Sequence, residues 1–523
     1  MLRWRSTSLL SAYYGQIVHL VNNHWLHFET VHPHRGVRSL ITDGNCNCEY
    51  VQTLSIGELA FPISSKLFKS EASMHRRVST LSGLRYLALL ITLTILALIA
   101  PLHGLSEHNA RNRERWIGTW ATAAQAPIPG RVQTFNNQTL RLIVHTSAAG
   151  AKVRVKISNT FGDEPLVIGA VHLACRATGA DLIPGSDRTI TFSGHPYTTI
   201  PARSMLTSDP VALDVPALSD LAISIFLPRS THATTVHVRA FQTNYVSPET
   251  GDSSAEVRFP VAKTIASWPF LTGVDVAALP HGAAIVALGS SLTDGVGSTQ
   301  DANRRWPDVL AERLQKAGGD KAELGVLNEG IIGNRLLSDN QSPRQAGGPP
   351  PLGAVFEQYG PALGQAGLAR FERDVLVQAG VKYVVIGLGV NDILFPGSFI
   401  PQSERVTSQQ LIDGYRQIVA RAHRQKIRAI GTTIPPFEHA IWPAPFFDRF
   451  YSVENEETRQ AINIWIRNSG EFDGVIDFDK AVRDPNHPAQ LLPAYDSGDH
   501  LHVNDAGNVA QANAISLGLF SSD

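Results

Sequence analysis

Residues 283–295 read Ala283-Ala-Ile-Val-Ala-Leu-Gly289-Ser-Ser-Leu-Thr-Asp-Gly295. The apolar run is short, does not alternate with polar residues and ends at glycine, which is the pattern of a strand covered on both faces. Downstream, Trp306 to Ala317 reads as a helix with Trp306, Val309, Leu310 and Leu314 on one face. Strands at Gly325–Asn328, Val381–Leu388, Ile427–Thr433 and Val475–Asp477 then alternate with helices at Leu368–Gln378, Ser408–Arg424, Glu454–Asn468 and Asp505–Leu517. Such alternation predicts an α/β domain over 280–520, a parallel sheet with helices on both faces. In such sheets ligands collect at the carboxyl ends of the strands, so chemistry is expected in the loops that follow them.

Upstream the period changes to two. Thr139–His145, Val153–Ile157, Leu166–Ala174, Thr189–Phe192 and Leu221–Leu227 read as short strands separated by Gly, Pro, Asp and Asn turns. With no convincing helix among them, they predict an all-β sandwich or jelly roll over 114–250, after which the pattern relaxes until about 280. Trp116, Trp120 and Tyr245 fit either the core of a packing module or a carbohydrate-binding face.

Further upstream, Tyr86–Ala100 is an apolar run of 15 residues preceded by His75, Arg76, Arg77 and Arg85 and followed by Pro101. It falls short of the ~20 residues that span a bilayer comfortably and has the layout of an export signal over 74–105. Met74 stands where such a signal would start, so residues 1–73 are expected to be an upstream extension foreign to the natural product. Stretched to 84–102, the run could instead tether the protein to a membrane as a signal anchor. Either way the chain after it is expected to be exported, to the periplasm or the exterior. His19, His24, His27, His32, His34, Cys46 and Cys48 in the leader match none of the usual closed zinc spacings, so no metal or cofactor is expected.

The 523 residues carry 45 Lys+Arg against 46 Asp+Glu, a balance that argues against a nucleic-acid partner. Hydrophobic residues at 43% exclude a disordered chain. Three cysteines cannot form a disulfide framework, which domains of this size do not need.

Four segments at strand ends carry candidate chemistry. Ser291 lies on a Gly-flanked strand-to-helix turn, where a hydroxyl can be exposed above a sheet, but it needs a base to become a nucleophile. No Gly-Lys-Ser/Thr follows, which removes the phosphate-loop reading. The second strand ends in Asn328-Glu-Gly-Ile-Ile-Gly-Asn334 and the third in Gly389-Val-Asn-Asp392, both able to present N–H donors to one point. Near the C-terminus, Asp499 and His502 are three residues apart on one loop, so the loop can supply a base and the carboxylate that fixes its tautomer. His500 competes for that role on sequence alone.

In this order and spacing, Gly289-Ser-Ser291-Leu, the loop with Gly333, Gly389-Val-Asn391-Asp and Asp499-x-x-His502 resemble the four blocks of the SGNH, or GDSL, hydrolase superfamily. The resemblance implies a flavodoxin-like three-layer α/β/α fold and metal-free ester hydrolysis. It assigns Ser291 as nucleophile, His502 as general base and then acid, and Asp499 as its orienting carboxylate. The N–H groups of Ser291 and Gly333 and the side-chain amide of Asn391 would form the oxyanion hole. The segment ahead of it resembles the β-domain of secreted acetylxylan-esterase-like members, which implies an acetylated carbohydrate as substrate. One position departs from the family: Ser290 stands where an Asp normally braces the nucleophile loop. Activity is expected to survive, because that Asp handles no proton. A lipid acylhydrolase or broad short-chain esterase is the alternative among enzymes. A sugar-binding protein with a vestigial hydrolase domain is the alternative outside them.

Overall fold

The computed structural model describes residues 114–340, 359–441 and 450–521. The expected extension, export signal and histidine-rich leader lie outside the described residues, as does most of the Gly/Pro-rich stretch that follows Asp339.

From Trp116 to Ala277 the chain forms two antiparallel sheets that share one apolar core. In one, Trp116–Ala121, Leu271–Ala277, Gly150–Ser158 and Met205–Thr207 lie side by side, with Val211–Val215 also on Gly150–Ser158. The other centres on Gln138–His145, Asp220–Leu227 and Ala170–Thr178, paired in register from Gln138↔Leu227 to His145↔Asp220. Val153, Val155, Ile157, Val274 and Val276 of the first meet Leu140, Leu142, Val144, Leu221, Ile223 and Ile225 of the second. Alternate residues of each strand thus face inward, as a period of two requires.

The structure alters the sequence reading of this part of the chain. Residues 248–280, read as relaxed, contain strands, and Leu271–Ala277 pairs with both Trp116–Ala121 and Gly150–Ser158. The β-layers therefore run past residue 250. The three aromatics do not share one face. Trp120 is buried edge-on against Trp268 at 5.0 Å, the Arg154 guanidinium covers Trp116 at 4.6 Å, and Tyr245 belongs to the other sheet. Cys175 is free and half-buried.

After Ala277 the architecture becomes three-layered. Five parallel strands lie in the order Leu324–Gly330, Ala283–Gly289, Val381–Gly387, Arg428–Thr432, Gly474–Ile476. This is the flavodoxin-like order, second strand, first, third, fourth, fifth. Ala284, Val286 and Leu288 pack on the helices Ser408–Arg424 and Val453–Asn468 through Leu411, Tyr415, Ile418, Ile462 and Ile466. Ala283, Ile285 and Ala287 face the opposite way, onto Trp306, Leu310 and Leu314 of Trp306–Ala317 and Ala512 of Asp505–Asn513. Neither face of the first strand meets water, which is why its sequence shows no alternation.

Two helices depart from their expected lengths. The expected helix 368–378 is an α-turn, Gly367–Phe371, widened into a π-turn over Glu372–Leu376, in which Arg370 and Asp374 are both buried and paired at 2.9 Å. The last helix ends at Asn513, and the chain closes through a 3₁₀ turn, Leu517–Phe520, whose Phe520 ring meets Tyr383 edge-on at 5.3 Å. That turn supplies the apolar contacts which the periodicity assigned to more helix.

The β-layers and the parallel sheet are joined by polar contacts. Ser147 Oγ accepts the Val326 N–H at 2.8 Å, and the Gly118 N–H donates to Ala379 O at 2.9 Å. Lys156 Nζ donates to Gln378 Oε1 at 3.1 Å, and Gln378 Nε2 in turn to Glu329 Oε1 at 2.9 Å. Among the described residues no helix is long and apolar enough to cross a membrane.

Candidate active site

Ser291 opens a one-turn helix, Ser291–Asp294, that starts as the Ala283–Gly289 strand ends. This is the point where the sheet order reverses, with strands departing to either side. The serine is 4% exposed, and its Oγ lies 2.9 Å from Nε2 of His502. His502 Nδ1 lies 2.6 Å from Oδ2 of Asp499. With Nδ1 donating to the carboxylate, the Nε2 lone pair is turned to the serine, whose hydroxyl donates to it.

Asp499 is fixed in its turn. Its Oδ1 accepts the N–H groups of His502 at 2.8 Å and Leu501 at 3.0 Å, and the Ser497 hydroxyl at 3.1 Å. Burial works to raise its pKa, but the hydrogen bond and charge of His502, with those two N–H groups, outweigh it and hold the carboxyl at about 2. His500 takes no part in this. It is exposed and turns to Asp496, with Nδ1 2.5 Å from Oδ2.

The expected donors sit on the two strands that flank the first. Gly333 lies in the loop after Leu324–Gly330 at φ +71°, a left-handed conformation, where a Cβ would also meet the Leu363 side chain at 2.7 Å. No acceptor among the described residues takes the N–H of Ser291 or of Gly333. Asn391 follows the third strand and is buried; one hydrogen of its amide goes to Asn334 O at 2.9 Å, which leaves the other to donate. Sequence reasoning selected Ser291, His502, Asp499, Gly333 and Asn391. The structure joins the first three directly and ties Asn391 to the residue after Gly333.

It also reveals groups the sequence did not single out. Arg370, wholly buried, donates to Gly289 O at 2.9 Å, Glu329 O at 2.8 Å and Asn334 Oδ1 at 3.0 Å. One guanidinium thus binds the ends of the first two strands to the Gly333 loop. Asp392 accepts the N–H groups of Leu336 at 2.7 Å and Leu337 at 3.0 Å, and burial pushes its carboxyl up to about 6 despite them. Ser290, at the position of the family's bracing Asp, is fully buried with no partner for its Oγ. Among the described residues no group of three His, Cys, Asp or Glu side chains is placed to hold a metal ion.

A serine hydrogen-bonded to a carboxylate-backed histidine, with spare N–H donors beside it at the switch point of a parallel sheet, is the equipment of a serine hydrolase. Residues 285–515 match the family model described as GDSL-like Lipase/Acylhydrolase. Over these residues the chain is similar to GDSL-type acylhydrolases, and the protein is an ester-bond hydrolase. No curated protein matches the chain.

Similar solved structures include the native aryl esterase of M. smegmatis, 19% identical, covering 45% of this chain and 96% of that one, with a TM-score of 0.32. A carbohydrate acetylesterase from Sinorhizobium meliloti is 15% identical over 44% of this chain and 95% of its own, with a TM-score of 0.31. A GDSL-like lipase from Bacteroides thetaiotaomicron is 17% identical over 45% and 87%, with a TM-score of 0.29.

Proposed function

We propose that the protein is an exported serine esterase that removes short acyl groups, acetyl above all, from a carbohydrate. The observation that carries the catalytic part is the unbroken hydrogen-bond chain from Ser291 Oγ through His502 to Asp499, 2.9 Å and 2.6 Å long. In the first half-reaction Ser291 Oγ bonds to the acyl carbon while its proton passes to His502 Nε2. Asp499 steadies the imidazolium. The carbonyl oxygen, now negative, is held by the N–H groups of Ser291 and Gly333 and the Asn391 amide. The intermediate collapses as His502 gives the proton to the leaving sugar oxygen, which departs as an alcohol. Water then attacks the acyl-serine as His502 takes its proton; His502 returns that proton to Ser291 Oγ as the acyl–oxygen bond breaks, and a carboxylic acid is released.

A nucleophile only 4% exposed suits a small acyl group. The sequence resemblance of the segment ahead of the hydrolase domain to the β-domain of secreted acetylxylan-esterase-like members supports the carbohydrate substrate, and the signal-like run at 86–100 supports the export. The test is hydrolysis of aryl esters from acetyl to octanoyl and release of acetate from acetylated xylan, by wild type and by Ser291→Ala. The expected result is highest kcat/KM on acetyl, acetate released from the xylan, and both lost in the variant. A preference for long acyl chains would make it a lipid acylhydrolase. No hydrolysis at all by a folded wild type would leave the sugar-binding alternative. N-terminal sequencing of material recovered outside the cell tests the export.

A further inference from the structure

The serine turn is held by a hydrogen bond from the β-layers, between His237 and Asp294. His237 belongs to a two-residue strand, Val236–His237, paired with Trp268–Pro269 and far from the hydrolase domain in sequence. Its ring is 2% exposed and packs beside Trp268, 5.7 Å between ring centroids. Its Nδ1 lies 3.0 Å from the Ala123 carbonyl oxygen, which can only accept, so Nδ1 carries a hydrogen. Its Nε2 lies 3.1 Å from Oδ1 of Asp294, itself 3% exposed. One proton is shared across that contact, inside the protein, where an unpaired polar group is costly.

Asp294 is the last residue of the turn that Ser291 opens. Its other oxygen, Oδ2, accepts the Ile332 N–H at 3.2 Å, and Ile332 precedes Gly333. The end of the second strand also closely approaches the serine turn, since a Cβ on Gly330 would lie 2.3 Å from the Asp294 nitrogen. A single carboxylate therefore spans the serine turn and the loop carrying the second oxyanion donor, and the histidine that fixes it comes from the antiparallel layers.

We propose that His237 is a positioning residue for the ester hydrolysis. By holding Asp294 it sets the spacing between the Ser291 and Gly333 N–H groups, so the β-layers complete the active site of the hydrolase domain. The inference rests on Ser291 being the nucleophile and the two N–H groups the oxyanion donors.

The experiment compares full-length wild type with His237→Ala, His237→Gln and Asp294→Asn on an aryl acetate. Thermal unfolding and the rate of fluorophosphonate attachment to Ser291 are followed alongside. Gln378→Leu serves as the control, because it removes another contact between the β-layers and the hydrolase domain, the part-buried one with Lys156. A misplacement of about 1 Å in such a site costs on the order of a hundredfold. The expected result is that His237→Ala loses about that factor in kcat and in labelling rate while KM stays within about threefold. His237→Gln, which keeps a donor toward Asp294, should recover about tenfold of the loss. Gln378→Leu should lower Tm and leave kcat alone.

A kcat for His237→Ala within about twofold of wild type would overturn the proposal, as would an equal kcat loss in Gln378→Leu. If His237→Ala does not fold, Asp294→Asn decides: a folded variant with wild-type kcat overturns it, and one with reduced kcat and normal Tm supports it. Failure of wild type to be labelled at Ser291 would instead strike the catalytic reading beneath it.

Discussion

The antiparallel layers and the parallel sheet use the same two-residue period to different ends. In Asp220–Leu227, Leu221, Ile223, Ile225 and Leu227 enter the main core, while Ala222 joins a small outer cluster and Ser224 accepts from Arg141 at 2.9 Å. In Ala283–Gly289 both alternating sets enter large cores, one on each face of the sheet. A strand packed on both faces has no flank left for chemistry, so reactive groups collect where it ends. Ser291, Gly333 and Asn391 all follow the ends of neighbouring strands. The β-layers contribute His237, which reaches Asp294 of the serine turn from the side.

If the chemistry is confined to those strand ends, substitutions there should act on kcat, and substitutions in the β-layer core should act on stability. Among the residues that support the nucleophile and its base, the largest effect is expected for Asp499→Asn, which frees His502 to adopt the wrong tautomer and should lower kcat by about 10⁴. A steady-state assay with Tm unchanged checks this, and a loss under about tenfold would remove Asp499 from its role. Asn391→Ala should cost about 10²–10³ in kcat with little change in KM, as expected for a donor that acts mainly on the developing oxyanion. An effect on KM alone would place Asn391 in substrate binding instead.

Because the mechanism needs an unprotonated general base, kcat/KM should fall on acidification in one step, by about tenfold per pH unit. Asp499 should add no second step above pH ~3, because its carboxyl is held at about 2. The sign for stability follows from the same depression. Its ionised form stabilises the fold above the unfolded value of about 3.9, and that contribution is lost as pH falls through about 2. A second inflection near pH 4 in the rate profile would contradict this environment. The smallest effect on catalysis is expected from Ile223→Ala, in the fully buried core of the β-layers. It should cost about 2–5 kcal/mol of stability by denaturant titration and leave kcat of the folded fraction unchanged.

The parallel sheet was legible because strands buried on both faces leave uninterrupted apolar runs, and Trp306–Ala317 and Ser408–Arg424 emerge with the bounds read from periodicity. Ser291, Asp499 and His502 were legible because turn chemistry and a three-residue spacing are local. The strand Leu271–Ala277 was not, since its pairing partners lie more than a hundred residues away and its glycine and threonine interrupt the alternation. Nor was Arg370, which looks on paper like an ordinary polar helix residue. Its meaning comes from the three carbonyl and amide oxygens that folding gathers around it. His237 and Asp294 are 57 positions apart, and nothing in the sequence between them signals the pairing.

The most direct test is to treat the folded protein with a fluorophosphonate and locate the adduct by peptide mass spectrometry, in wild type and in His502→Ala. A single adduct on Ser291 in wild type, formed far more slowly in the variant, is the expected result. An adduct on another serine, or equal labelling with and without His502, would contradict the triad.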